Sequence, residues 1–382
     1  MLMLNEKEYT NIIDISNKYN YKNFKKQKLV IKKYIFLLIV SILLILLLII
    51  EIIKLKMKIK HIKENKFFKQ EINKLKKNLS LKYKNNKYLF QLYIENRTQF
   101  YIQGRKYLMK SLGRDYNDSK IITFQDKLNW LLVHDSPENK SEIVDKILLR
   151  NYSKKILGKD ICVPLIKIYK DVNEINLDDL PNSFVLKCNH GSSMNIICSN
   201  KSTFNLTEAK KKLNKWMKIN YGLIGYEYQY LNIKRKIFAE KFLKDNLTDY
   251  KFYCFNGIPK LIKVQSKYFI DNIKMYHYYD LNWKITDIET KLDGNIKLPQ
   301  IKFSKPKYLD LMIKYAKQFS KNFIFVRVDL YEFNDTVYLS ELTFTPANAR
   351  SPYRDEKQRI YLGNLLNLNN VNNRNKNNKY KN

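Results

Sequence analysis

Asp329 and Glu341 are the two carboxylates whose sequence setting most constrains their chemistry. They fall in Phe325-Val-Arg-Val-Asp-Leu-Tyr331 and Tyr338-Leu-Ser-Glu-Leu-Thr343, two strand-forming runs separated by a turn at Asn334-Asp335. Such runs predict a hairpin that brings Asp329 near Glu341, with side-chain alternation aiming both at one face. Adjacent carboxylates repel, and burying them is costly unless a cation lies between them. Hard oxygen ligands suit magnesium, which takes one or two carboxylates and completes its shell with water and phosphate. Arg327 lies two residues before Asp329, projects from the same face, and is placed to hold a phosphate oxygen. An exposed sheet face with ordinary ion pairs would carry the same residues, so the hairpin alone does not decide.

A second constellation is Lys187-Cys-Asn-His-Gly-Ser-Ser-Met-Asn195. A strand ending in Lys187, then a turn through Gly191, Ser192 and Ser193, offers phosphate an ammonium, backbone N–H groups and hydroxyls. It is not a Walker A loop, because G-x-x-x-x-G-K-[ST] is absent. A third is Ala239-Glu-Lys-Phe-Leu243, followed by Asp249-Tyr-Lys-Phe-Tyr-Cys-Phe255. A strand passing into a connector at Glu240 and Leu243 presents backbone groups and apolar side chains to a flat base. Asp249 is then placed to accept from ribose hydroxyls. Two strands of an ordinary meander are the alternative.

The elements that must position these residues follow from periodicity and capping. Thr123-Phe-Gln-Asp126 reads as a capping box opening a helix with Leu128, Leu131 and Leu132. A helix is expected over Ser141 to Ile156 and a strand over Cys162 to Ile168. Short strands at Ser183 to Lys187 and Asn195 to Cys198 flank the glycine loop, and Asn205 and Glu208 cap a helix through Met217. Strands follow at Ile237 to Leu243, Tyr250 to Phe255, Lys260 to Gln265 and Lys274 to Tyr279, with Asn256-Gly257 as a hairpin turn. A helix over Lys307 to Phe319 leads into the final hairpin.

The 382 residues carry a formal net charge of +35. That charge attracts phosphates of nucleic acid, anionic lipid or nucleotide, or an acidic polymer, although the basic residues are spread along the chain as compositional drift would spread them. Cys162, Cys188, Cys198 and Cys254 show no C-x-x-C pairing and no His at ligand spacing, which argues against zinc and for reduced thiols. Tyr34 to Ile50, extended by Ile52 and Ile53, is just long enough to cross about 30 Å of hydrocarbon. The expected organisation is a polar segment at 1–33, one transmembrane helix at 34–53, a Lys-rich helical stalk at 54–104, a catalytic domain at 105–368 and an Asn/Lys tail at 369–382. Lysines on both flanks leave orientation undecided by charge.

The order of the three constellations resembles the ATP-grasp superfamily, and more narrowly the TupA-like ATP-grasp family of bacterial cell-wall teichuronopeptide synthesis. The similarity runs from about Thr123 to Leu368. It includes Phe124-Gln-Asp-Lys-Leu-Asn-Trp130, Val144-Asp-Lys146, Leu180 to Gly191, Asp249 to Gly257, Phe325 to Tyr331 and Glu341-Leu-Thr-Phe-Thr-Pro346. The resemblance implies an α+β ATP-grasp fold of two α+β subdomains with nucleotide between them. It implies ATP and Mg2+ as cofactors, with Lys187 on phosphate and Gly191, Ser192 and Ser193 in the closing loop. Glu240 and Leu243 would meet adenine, Asp249 the ribose, Asp329 and Glu341 magnesium, and Arg327 the transferring phosphoryl group. Two positions depart from the pattern: Ser193 stands where Gly is usual, and Thr343 where Asn often follows the metal Glu.

The implied reaction is acyl phosphate formation on a carboxylate, then attack by an amine. The partners would be an acidic polysaccharide or lipid-linked precursor and an amino acid or amine, at a membrane, with no nucleic acid. The expected location is the bacterial cell membrane, single-pass, with the catalytic domain cytoplasmic. The rival readings are a polysaccharide glycosyltransferase, which would want a D-x-D that Asp178-Asp179 does not supply, and a non-enzymatic basic membrane adaptor.

Overall fold

The computed structural model describes residues 96–111, 121–135, 137–245, 247–270, 273–290 and 302–369. All of them lie in one compact unit, Gln91–Asn382. The expected membrane helix at 34–53, the segments at 1–33 and 54–95, and the tail from 370 lie outside the described residues. Among those described, no helix is long and apolar enough to cross a membrane.

Helix α1 (Arg97–Ser111) straddles the expected boundary at Arg105, and Arg105 itself is fully buried. Helix α2 (Phe124–His134) opens with the expected capping box: Thr123 accepts from the Asp126 N–H, and the Asp126 carboxylate accepts from the Thr123 N–H. The single helix expected over 141–156 is instead two, α3 (Ser141–Val144) and α4 (Leu149–Leu157). Asp145 makes the break. Its carboxylate accepts from the Ile147 N–H at 2.8 Å and the Leu148 N–H at 3.3 Å, a local alternative to the helical ladder. Lys146 is thereby released from the helix.

The smaller sheet runs β1-β4-β2-β3, from β1 (Leu165–Tyr169), β2 (Phe184–Cys188), β3 (Asn195–Cys198) and β4 (Ile237–Lys241), with every pairing antiparallel. β1 starts later than expected. Cys162 bridges Leu339 in isolation, and Pro164 has no N–H to give a ladder. Helix α5 (Leu206–Met217) is capped by Asn205 and packs Leu213 onto Leu186, Ile237 and Ala239.

The larger sheet runs β7-β6-β5-β8-β9, from β5 (Asp249–Phe255), β6 (Ile258–Ile270), β7 (Ile273–Tyr279), β8 (Phe325–Phe333) and β9 (Thr336–Thr343). Two of its turns, Asn256-Gly257 and Asn334-Asp335, hold all four residues at positive φ, as a tight hairpin requires. One face packs Phe252, Val328 and Leu330 against Met312, Ala316 and Phe319 of α7 (Leu309–Ser320), after the short α6 (Tyr221–Ile224). Each such fully buried side chain contributes about 1.5–3 kcal/mol by leaving water.

The opposite face changes character along its strands. Phe255 and Phe325 lie in a core with α2 and α8 (Glu356–Asn364), and two positions further come Tyr253 and Arg327, then Lys251 and Asp329. Strict alternation fails in β9, beside the charged face. Glu341 pairs with Asp329 but Leu339 with Leu330, so Ser340 is bulged out. The bulge lets Leu339 and Leu342 both reach the core while Glu341 stays on the charged face.

Candidate active site

Three neighbouring strands contribute one residue each to a row across the large sheet. Lys251 faces Asp329 across β5 and β8, and Asp329 faces Glu341 across β8 and β9. Arg327 and Thr343 form part of the next row on the same face. The Arg327 guanidinium donates to both Asp329 oxygens at 2.6 Å, and through Nη2 to Glu341 Oε1 at 3.0 Å and Thr343 Oγ1 at 3.2 Å. Lys251 Nζ donates to Asp329 Oδ2 at 2.8 Å and lies 3.5 Å from Asp249 Oδ2. The repulsion expected between the two carboxylates is therefore relieved by side-chain cations.

Burial pushes the Asp329 carboxyl above its ordinary pKa, with Arg327 and Lys251 pulling against it. Burial acts the same way on Glu341, but Lys146, Arg327 and Lys251 outweigh it and hold that carboxyl well below the usual range. Lys146, freed by the break at Asp145, donates from Nζ to the Gly191 carbonyl at 2.7 Å and lies 3.6 Å from Glu341 Oε2. It ties the glycine loop to the carboxylate row.

Two facing carboxylates suit a hard divalent ion that shares its remaining positions with phosphate and water. Among the described residues there is no group of three or more His, Cys, Asp or Glu able to hold an ion. The donor set thus fits magnesium arriving with phosphate better than magnesium alone. In the structure Arg327 and Lys251 occupy the Asp329 oxygens.

Lys187, Glu240 and Leu243 meet in an open cleft, whose wall also includes Val185, Phe242 and, from the large sheet, Tyr331. Lys187 Nζ pairs with Glu240 Oε1 inside it. Gly191 is buried; a Cβ there would come within 2.9 Å of Met194 Sδ and of the Tyr221 ring, so the loop closes only without a side chain. Ser192 and Ser193 are exposed, and Ser193 has φ 59°, the left-handed conformation that the more usual Gly adopts freely. Beside the loop, burial lowers the His190 pKa to about 4, and its Nε2 lies 3.2 Å from the Trp216 carbonyl oxygen.

The structure therefore brings Arg327, Asp329, Glu341 and Asp249 together through Lys251, and Lys187, Glu240 and Leu243 together in the cleft. Gly191 joins the first group through Lys146. Sequence reasoning missed Lys146 and Lys251 as members of the site. Lys251 carried a readable signal, standing two residues after Asp249 and so on the same face; Lys146 carried none, because its exposure to the site depends on the helix break.

The model of the TupA-like ATPgrasp family matches residues 126–367, which hold every one of these side chains. The chain belongs to that family. Its two antiparallel sheets with flanking helices are its version of the ATP-grasp fold. Comparison with curated proteins finds no significant match. Among solved structures, the chain is similar to D-alanine–D-alanine ligase from Helicobacter pylori, with 18% identity over 59% of this chain and 61% of that one, TM-score 0.31. It is similar to N5-carboxyaminoimidazole synthetase from Staphylococcus aureus complexed with ADP, with 14% identity over 54% and 46% of the two chains, TM-score 0.32. It is also similar to the Bacillus anthracis D-alanine–D-alanine ligase complexed with ATP, with 15% identity over 68% and 77%, TM-score 0.39. The chain thus spans less than two thirds of the first two structures, and the family assignment rests on the matched residues alone.

Proposed function

We propose that this TupA-like protein is an ATP- and magnesium-dependent ligase that couples a carboxylate to an amine through an acyl phosphate. The observation that carries the reading is the row Lys251, Asp329 and Glu341, bridged by Arg327, with Tyr331, two residues past Asp329 on the same strand, in the wall of the cleft that holds Lys187. In the proposed complex Glu240 and Leu243 contact adenine and Asp249 the ribose. Lys187, Lys146 and the loop at Gly191, Ser192 and Ser193 hold phosphates, while Asp329 and Glu341 hold the metal. Held there, magnesium would neutralise phosphoryl oxygens, and Arg327 would add a fixed positive charge at the transferring phosphoryl group. Catalysis of this kind is mostly positioning and electrostatics.

The proposed substrates are an acidic surface polysaccharide or its lipid-linked precursor, and an amino acid; membership of the family supports this choice. We further propose a single-pass bacterial membrane protein with its catalytic domain in the cytoplasm, supported by the apolar run at 34–53 and by the need for ATP. Four buried free cysteines are compatible with that compartment. The test is phosphate release from MgATP by the full chain with a panel of acidic oligosaccharides and amino acids. Release that needs both a carboxylate and an amine supports the reading, and turnover of nucleotide sugars instead would refute it. Protease added to intact spheroplasts should leave the catalytic domain whole; its destruction would reverse the orientation.

A further inference from the structure

Three consecutive residues that are not glycine, Ala347, Asn348 and Ala349, have φ of 48°, 54° and 55°, with Phe344, Thr345 and Pro346 between them and the strand that carries Glu341 and Thr343. L-residues avoid this region, and runs of it persist only where the surroundings over-determine them. Here the surroundings do. Fully buried Arg105 donates to the Asn348 side-chain oxygen at 2.6 Å and to the Asn348 and Gly225 carbonyls, and Asn348 Nδ2 donates to the Gly225 carbonyl at 2.8 Å. What this turn delivers is Arg350.

Arg350 is half-buried, its Nε is buried with no hydrogen-bond partner, and among the described residues its side chain makes no ion pair. Glu227 lies within electrostatic reach but is taken by Thr345, whose hydroxyl donates to Glu227 Oε1 at 2.5 Å. Tyr221, whose phenol faces Ser192 of the glycine loop, is also within electrostatic reach of both Arg350 and Glu341. Among the described residues, a guanidinium without an ion pair therefore lies within electrostatic reach of Tyr221, as Glu341 also does, on a turn held rigid at a conformational cost. Guanidinium is the side chain best matched to a carboxylate.

We propose that Arg350 is the receptor for the carboxylate substrate, holding it by ion pairing beside the Glu341 end of the site. The inference rests on the ligase reading for what happens next, but binding of the anion does not. Two anions, the acceptor carboxylate and the terminal phosphate, must approach each other, and a cation dedicated to the first removes part of their repulsion.

The experiment is calorimetric titration of the full chain, with MgADP present, using trigalacturonate and L-glutamate as probes and maltotriose as the uncharged control. Wild type should bind at least one of the acidic probes and not maltotriose. Arg350→Ala should weaken that binding about 10- to 100-fold, the range for a charge-assisted hydrogen-bonded pair, with Arg350→Lys in between. MgADP affinity should be unchanged in both variants, which separates loss of the receptor from loss of the fold. Equal probe binding by wild type and Arg350→Ala, or no acidic probe binding to wild type, would overturn the proposal. Phosphate release from MgATP by the same proteins, with the acidic probe and an amino acid present, separates the two readings: Arg350-dependent binding without turnover in wild type sinks the ligase and keeps the receptor.

Discussion

Asp329→Asn removes a charge that two buried cations share, and its effect on the fold distinguishes two pictures of the site. If the carboxylates mainly repelled each other, the amide would stabilise the protein in the absence of metal. The geometry predicts the opposite. Arg327 makes two bonds of 2.6 Å to Asp329 and Lys251 one of 2.8 Å, and their side chains are only 12% and 14% exposed. Removing one partner from a buried pair costs about 3–5 kcal/mol, because the remaining charge is left uncompensated. The amide oxygen still accepts one bond and Glu341 still accepts from Arg327, so about 3 kcal/mol is the reasonable figure. At roughly 2–4 °C per kcal/mol for a domain of this size, thermal melting should fall by about 10 °C. Glu341→Gln should cost about 1 kcal/mol, since that side chain is 25% exposed and its contact with Lys146 is 3.6 Å. Melting curves without metal or nucleotide decide the matter. An Asp329→Asn protein that melts at or above the wild-type temperature would refute the paired-cation account.

Other outcomes follow from the same structure. His190 has its pKa lowered to about 4 by burial, so its contribution to stability is present above about pH 6.5 and lost as pH falls through 4. Of order 3 kcal/mol should disappear across that window, and the pH dependence of melting should flatten in His190→Gln. Burial raises Glu227 to about 7, so its contribution is present below about pH 4.5 and lost as pH rises through 7; Glu227→Gln should remove that upper-range loss in the same melts. Ala347→Gly should stabilise the protein by about 1 kcal/mol, because Ala347 is exposed and holds φ 48° without a side-chain role; a lower melting temperature would count against strain in the turn.

Much of the charged face was legible from residue order alone. Alternation in β8 and β9, with a turn pair fit for positive φ, placed Arg327, Asp329 and Glu341 together, while the strand that carries Lys187 sets it in an ion pair with Glu240. What the sequence hid depends on tertiary detail. The break at Asp145 looks like continuous helix, yet one carboxylate bonding two N–H groups redirects Lys146. The bulge at Ser340 conceals that Leu339 and Leu342 share a core face, since a period of two puts them on opposite sides. The left-handed turn at Ala347 to Ala349 has no glycine to announce it, and only the Arg105 network, distant in sequence, makes it possible.

The central claim is that the cleft at Lys187 and the carboxylate row at Asp329 and Glu341 form one MgATP site. Calorimetric titration of ATP into the full chain, with magnesium and with chelator, tests it most directly. Binding should require magnesium for full affinity, Glu341→Gln should abolish that metal dependence, and Lys187→Ala should weaken nucleotide in either condition. No binding at millimolar MgATP, or equal affinity with and without the metal, would contradict it.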